Sequence, residues 1–308
     1  MQELPRIPLV YILSNGRSGS TLLELLIGNH ARAFTLGEFQ VLPHELAADD
    51  ARCGCGAHPR VCNFWSRVVD GQPLADDGAQ LTQFRSHRHF GKVLRRAHLG
   101  GLLNGRVAPT RRAAAAAYGE LNARLMERAL AQARRVRGGP VDWLVDASKD
   151  PYRLAWLAES GRFDLFVVHL VRDPRSFVHS MLEGARRPRV GSVLRMSARW
   201  AVENVVMARL VAKTLDPARV ERVTYEELAS RPDQVLARLG ERLGLEFPKD
   251  WSRGAFRTPT NHAVSGNRAR FGSSGVALDE RWRAQSPAWV QRLVWLATAP
   301  ARLALRRS

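Results

Sequence analysis

Hydrophobic positions along the chain come in two alternating kinds of stretch. Pro8-Leu9-Val10-Tyr11-Ile12-Leu13 runs apolar up to Ser14, the pattern of a strand buried on both faces, and Thr21 to Ile27 then carries the apolar stripe of a helix. Val141 to Asp146 reads as a second strand and the near-continuous run Asp164 to Val171 as a third. Residues 174–183 and 193–214 carry helical spacing, Arg219 to Thr224 reads as a further strand, and 232–243 as a helix. Residues 70–140 differ in character. They are polar and rich in Ala and Arg, broken by Gly100-Gly101, and continue from Ala113 to Arg137 as a long helix that Gly138-Gly139-Pro140 ends. Strands alternating with helices predict an α/β fold with a parallel sheet flanked by helices. The whole chain, 1–308, is read as one domain, with a helical insertion at about 70–140 and a tail at about 272–308. The tail's Trp289-Val290 and Leu293-Val294-Trp295-Leu296 stripe is read as a packing helix in preference to a membrane-surface anchor, which leaves peripheral membrane contact open.

Composition narrows the class. The 308 residues are 45% hydrophobic and 25% charged, the profile of a globular protein, and no stretch reaches the roughly 20 apolar residues of a spanning helix. The N-terminus enters the first strand without a secretory signal, so a cytoplasmic location is expected. A net charge of +18 invites a nucleic-acid reading. However, only four of the 47 basic residues are lysines (Lys92, Lys149, Lys213, Lys249), and the arginines are scattered along the chain with no basic arm. They are read as solvated helix faces, with a remaining part in drawing an anionic substrate to the site.

All three cysteines fall in Cys53-Gly54-Cys55-Gly56-Ala57-His58-Pro59-Arg60-Val61-Cys62. With His58 these are four soft donors, enough on paper for tetrahedral zinc, but their spacing is tighter than a pair of separated knuckles. A metal-free turn pinned by Asn63-Phe64-Trp65, reduced or holding one disulfide, is the favoured expectation.

Two segments carry chemistry. The first strand runs into Ser14-Asn15-Gly16-Arg17-Ser18-Gly19-Ser20-Thr21-Leu22, where glycines allow a tight turn and amides at a helix start make an anion cradle. Kinases and ATPases place a lysine before the final hydroxyl of such a loop, and this chain does not. The third strand runs into Leu170-Val171-Arg172-Asp173-Pro174, and Ser180 follows on the next helix, so that Arg172 and Ser180 could face one phosphate. A structural Arg-Asp pair capping that helix is the alternative.

Together these motifs resemble the sulfotransferases that use 3′-phosphoadenosine 5′-phosphosulfate (PAPS). Gly16 to Leu23 resembles their 5′-phosphosulfate loop, and Arg172 to Ser180 their 3′-phosphate motif. Gly37-Glu38 sits where Golgi tyrosylprotein and bacterial sulfotransferases carry a catalytic glutamate. Lys149-Asp150-Pro151-Tyr152 is similar to the tyrosylprotein enzymes' Lys-Asp-Pro-Phe, and Asp146 to Lys149 to a bacterial Asp-Ser-Ser-Lys. Val223 to Leu228 resembles a Tyr-Glu-Asp-Leu strand end, His262 to Phe271 a late Gly-Asn-x-x-Arg loop, and the cysteine segment with Phe64-Trp65 a feature of bacterial members. The resemblance spans about 8–271. It implies a P-loop-type sheet and transfer of sulfate from PAPS to a hydroxyl or amine of a small-molecule, glycan or lipid acceptor.

By the same resemblance, Arg17 and Lys149 stabilise the departing 5′-phosphate, and no metal is required. Glu38 takes the acceptor's proton, with His179 or His262 next in line. Gly16, Arg17, Ser18, Gly19, Ser20, Thr21 and Leu22 hold the donor; Arg172, Ser180 and Tyr225 select its 3′-phosphate; Asn267, Arg268 and Arg270 close over the nucleotide. Glu38 is expected near the start of a strand-like segment and to reach the site through a crossing loop, Thr35-Leu36-Gly37. Two rivals remain: a P-loop small-molecule kinase using ATP, and an Arg-rich nucleic-acid-binding protein whose affinity would fall steeply with salt. The acceptor and the oligomeric state are not legible.

Overall fold

The computed structural model describes residues 5–72, 96–182, 188–254, 261–271 and 276–307. Five parallel strands form one sheet: β1 (Ile7–Ser14), β2 (Ala33–Gly37), β3 (Trp143–Lys149), β4 (Phe163–Val171) and β5 (Val220–Thr224), in the order β2-β3-β1-β4-β5. The chain therefore leaves central β1 for the far edge, returns through β3 and then crosses to β4. This reversal opens a crevice at the carboxyl end of β1, the place where open α/β sheets bind ligands.

Alternation along β1 shows why the run is buried on both faces. Leu9, Tyr11 and Leu13 point into one layer, with Leu121, Leu125, Met126 and Ala129 of helix α2 (Arg112–Arg137) and Trp156 and Leu157 of α3 (Pro151–Ser160). Val10 and Ile12 point into the other, with Leu23 and Leu26 of α1 (Ser20–Gly28) and Leu236 and Leu239 of the helix Pro232–Leu243. A third cluster joins α4 (Pro174–Met181) and α5 (Val190–Thr214) to two tail helices, Ala288–Ala297 and Ala299–Arg307. In it Val290 and Val294 are buried, which agrees with a packing helix, while Trp295 and Leu296 are exposed.

The long helix predicted from Ala113 to Arg137 is present, and Gly138 ends it in the left-handed conformation. It is no appendage. It lies in the β2–β3 crossover and covers one face of the sheet. Gly100 and Gly101 do not break the chain, since both lie inside a helix, Arg96–Asn104. The part of the expected insertion at 73–95 and tail residues 272–275 lie outside the described residues. Thr35-Leu36-Gly37 is the end of β2 and not a crossing loop, so Glu38 emerges at the same sheet edge as the turn that follows β1. Among the described residues no helix is long and apolar enough to cross a membrane.

Candidate active site

β1 delivers the chain into the turn Asn15 to Gly19, where Arg17 (φ 65°) and Gly19 (φ 86°) adopt left-handed backbone. Such a turn gathers amides on one side, and it opens directly into α1, whose N-terminus no side chain among the described residues caps. At the turn, the hydroxyls of Ser14 and Ser18 are buried and have no hydrogen-bond partner among the described residues, an arrangement that an oxyanion would complete. Gly19 is required twice over: its φ is positive, and a Cβ there would lie 2.5 Å from the Tyr225 ring. The base of the turn is fixed from α5, where Asn204 Nδ2 donates to Asn15 Oδ1 (2.5 Å) and Asn15 in turn bonds Glu203.

On the β4–β5 side, Arg172 leaves β4 and donates to Ser176 Oγ (2.7 Å) and to the carbonyl of Arg17 (2.7 Å), while its guanidinium lies 4.5 Å from the Tyr225 ring centroid. Ser180, on α4, takes its hydrogen bond from Arg17 Nε (3.0 Å) and not from Arg172. Arg172 and Ser180 are thus brought together through Arg17. Asp173 caps α4 by accepting from the Arg175 amide (2.8 Å), as the capping alternative expected, but Arg172 is free of that role. The tail supplies a partner that the sequence reading did not contain. Asp279 Oδ2 sits 3.2 Å from Arg172, the Asp279 amide donates to the Tyr225 hydroxyl (3.1 Å), and hydrogen bonds from Arg281 hold the Asp279 carboxyl well below the usual carboxylate range.

On the β2–β3 side, Lys149 Nζ donates to Glu38 Oε1 (2.5 Å) and to the carbonyl of Ala147 (3.0 Å). The two side chains are 10% and 14% exposed, close enough to solvent for an acceptor to reach them. Register shifts in both the β1–β3 and β2–β3 ladders fall at these strand ends, and Lys149 has φ 66°, so the local backbone is bent to aim the lysine. Beneath it runs a fully buried network. Arg153 pairs with Asp146 (Nε to Oδ2, 2.9 Å) and reaches Tyr118 and Asn122, Ser148 bonds Asp146, and Gln40 bonds Asp150. Glu38 is fixed by its own backbone, whose amide donates to Val264 O (2.8 Å). Gly37 (φ 76°) has Val264 O only 2.2 Å from where a Cβ would stand, so only glycine lets the two segments meet.

The late loop returns to the phosphate turn, where the Asn267 amide donates to Thr21 Oγ1 (3.2 Å). Arg270 differs from expectation. It bonds Gly266 O (2.7 Å) and Arg52 O (3.0 Å), closing its own loop, while Arg268 is exposed. Leu22 packs into the layer beneath α1. Neither reserve base stands open to an acceptor, since His179 bonds Ser286 Oγ (2.9 Å) and His262 lies among the cysteine sulfurs. The sequence reading also missed Glu24, a lone acid in the apolar stripe of α1. It is 1% exposed, both its oxygens lack hydrogen-bond partners among the described residues, and burial, set against the opposing charge of Lys149, raises its pKa to about 8. A single carboxyl inside a helix stripe that is otherwise apolar is the signal that could have found it.

This geometry can hold a phosphate-like group at the turn, a second anion at Arg172, and a proton-accepting carboxylate beside a fixed cation. Comparison with known proteins bears on the family and the fold. The sequence model described as Sulfotransferase family matches residues 8–249. Among solved structures, the sulfotransferase domain from the curacin biosynthetic pathway is similar over 95% of this chain and 98% of its own, at 19% identity and a TM-score of 0.50. The sulfotransferase domain of the Synechococcus PCC 7002 olefin synthase covers 97% and 96% at 20% identity and a TM-score of 0.48. Sulfotransferase STF9 from Mycobacterium avium covers 94% and 78% at 15% identity and a TM-score of 0.48. At 19% identity, the likeness to the first of these concerns the fold alone. No curated protein sequence matches the chain.

Proposed function

The chain belongs to the sulfotransferase family, and from that premise we propose that it moves the sulfuryl group of PAPS to a hydroxyl or amine of a small-molecule, glycan or lipid acceptor. The observation that carries this reading is the Lys149–Glu38 pair (2.5 Å), which stands at the carboxyl ends of β3, the neighbour of β1, and of β2, the edge strand beside it. Sulfuryl transfer resembles phosphoryl transfer, an in-line displacement whose charge spreads over the peripheral oxygens. The loop amides with Ser18, Ser20 and Thr21 hold the 5′ end of the donor, and Arg172, Ser180 and Tyr225 receive its 3′-phosphate. Lys149 stabilises the departing 5′-phosphate as the S–O bond to it breaks. Its ammonium then neutralises phosphate in place of Glu38, which frees the carboxylate to take the acceptor's proton as the new S–O or S–N bond forms. Arg17 bridges the two ends, its carbonyl on Arg172 and its guanidinium on Ser180. These fixed cations give the reaction a route without magnesium. The whole length, 1–308, acts in this reading as one domain.

The test incubates the protein with PAPS and acceptor extracts and follows products by mass spectrometry, expecting addition of one sulfuryl group. Calorimetry should find adenosine 3′,5′-bisphosphate bound far better than AMP or ATP, with no need for magnesium. Equal affinities, or magnesium-dependent phosphorylation from ATP, would overturn the reading in favour of a kinase.

A further inference from the structure

The cysteine segment takes no part in the reaction above, yet it is built around one point. Cys53 and Cys62 are buried, Cys55 is half-buried, and the donor that joins them is His262, 3% exposed and 200 residues away in the chain. His58, the neighbour in sequence, is elsewhere: its ring bonds Ala48 O (2.9 Å) and accepts from the Arg60 amide (3.1 Å). The four donor atoms all lie within 4.8 Å of one another.

Their spacing has a chemical meaning. Zinc bonds of about 2.3 Å to sulfur and about 2.0–2.1 Å to nitrogen give a tetrahedron with edges of roughly 3.8 Å between sulfurs and roughly 3.5 Å from sulfur to nitrogen. Cys53–Cys62 and Cys55–Cys62 stand at 3.6 Å, His262 Nδ1 at 3.6 Å from Cys53 and 3.2 Å from Cys62. A disulfide needs about 2.05 Å and would leave one thiol and a buried imidazole unused. Backbone amides also point at the sulfurs, from Cys55 to Cys53, from Ala57 to Cys55, and from Phe64 and Trp65 to Cys62, as the outer hydrogen bonds of a thiolate–metal centre do. The imidazole stacks on Phe64, with centroids 5.1 Å apart.

We propose that Cys53, Cys55, Cys62 and His262 form a closed, structural zinc site. Four protein donors leave no open position for a substrate, so the ion holds segments together and does no chemistry on the transferred group. What it holds is the floor of Glu38. The Gly54 amide donates to Ala263 O (3.0 Å), Trp65 Nε1 to His262 O (2.6 Å), and Val264, two residues on, receives the Glu38 amide. The ion would therefore fix residues 53–62 and 261–264 together beneath the proton acceptor. The inference stands whether or not PAPS is the donor.

The experiment uses the full chain, expressed with added zinc and purified without chelator. Elemental analysis should find close to one zinc per chain, and the cobalt(II)-substituted protein should show thiolate-to-metal charge-transfer and tetrahedral d–d absorption. The Cys55→Ser variant, altered at the half-exposed donor, should lose at least about tenfold in zinc affinity, on the scale seen when a metal centre is weakened. His58→Ala should retain both metal and spectrum. Well under a tenth of a zinc per chain with three titratable thiols, or with one thiol and one disulfide, would overturn the proposal without need of any variant. Zinc retained with unchanged affinity in Cys55→Ser would overturn the ligand set.

Discussion

The two sides of the crevice are held in different ways. On the β4–β5 side the groups proposed to bind the donor hold each other: Arg172 grips the backbone of Arg17, Arg17 grips Ser180, and the Asp279 carboxylate lies against Arg172. On the β2–β3 side Glu38 and Lys149 sit on bent strand ends above the buried Arg153–Asp146 network, and Glu38 is clamped from below through Val264. The first side is built of partners that a ligand can replace. The second rests on partners that a ligand leaves in place, the Arg153–Asp146 network and the Val264 clamp, even where the Lys149–Glu38 contact itself opens to the donor. A donor nucleotide needs to enter and leave, while a base and a cation must be held to within a fraction of an ångström for transfer. Binding and chemistry are therefore stabilised by separate sets of contacts, and separate variants should divide them.

The largest effect is expected on the rigid side. Glu38→Gln keeps the shape and loses the base, so turnover should fall by about 10²- to 10⁴-fold while affinity for adenosine 3′,5′-bisphosphate holds. Steady-state kinetics with calorimetry on the same preparation decides it. Near-native turnover with an alcohol acceptor would break the comparison by placing the base elsewhere. Removing Arg153 attacks the same side from beneath. Arg153→Met leaves Asp146 buried and unpaired, which should cost about 3–5 kcal/mol in a denaturant titration.

Smaller effects are expected across the crevice. Arg172→Ala removes a charge-assisted contact worth about 1.5–3 kcal/mol, so the preference for adenosine 3′,5′-bisphosphate over AMP should shrink by about 10- to 100-fold. Turnover at saturating donor should change far less. Asp279→Asn should act in the opposite direction, tightening that nucleotide several-fold, because Arg172 is relieved of a competing carboxylate. Calorimetry finding weaker binding would show instead that Asp279 orients Arg172 and Tyr225 for the ligand.

What could be read from the sequence divides along the same line. The phosphate turn is contiguous, Arg172 and Ser180 lie on one strand–helix junction, and the apolar runs of β1 and β4 declare strands buried on both faces, so short-range pattern sufficed. β2 is five residues long and ends in glycine. Its strand state comes from pairing with β3, and local pattern therefore left Thr35 to Gly37 as a loop. Glu38 depends on Val264, Cys62 on His262 and Arg172 on Asp279, contacts across 100 residues or more that spacing cannot reveal. His58 looked like the fourth soft donor because it was near in sequence. Gly100 and Gly101 looked like a break because propensity disfavours them in a helix, a cost that tertiary packing overrides here.

Between the two sides lies Glu24, and it offers the finest test. Its carboxyl has no hydrogen-bond partner among the described residues, and Lys149, which would favour the charged form, is outweighed by burial. The folded chain therefore holds this proton up to about pH 8, whereas the unfolded chain releases it near 4.5. Within that window the folded state binds more protons than the unfolded one, so stability is greatest below pH 4.5 as far as this group is concerned and is lost as pH rises towards 8. The slope is at most about 1.4 kcal/mol per pH unit for one proton. A neutral Glu24 also suits its place, because a charged carboxylate beneath the phosphate turn would repel the donor. Glu24→Gln keeps the neutral shape at every pH. Denaturant midpoints measured at pH 5, 7 and 9 should fall less steeply in this variant than in the parent chain, with the curves closest at pH 5. Parallel curves would mean that Glu24 is already ionised at neutral pH and that Lys149 is shared between two carboxylates, which would make the β2–β3 side far less a fixed pair than its geometry indicates.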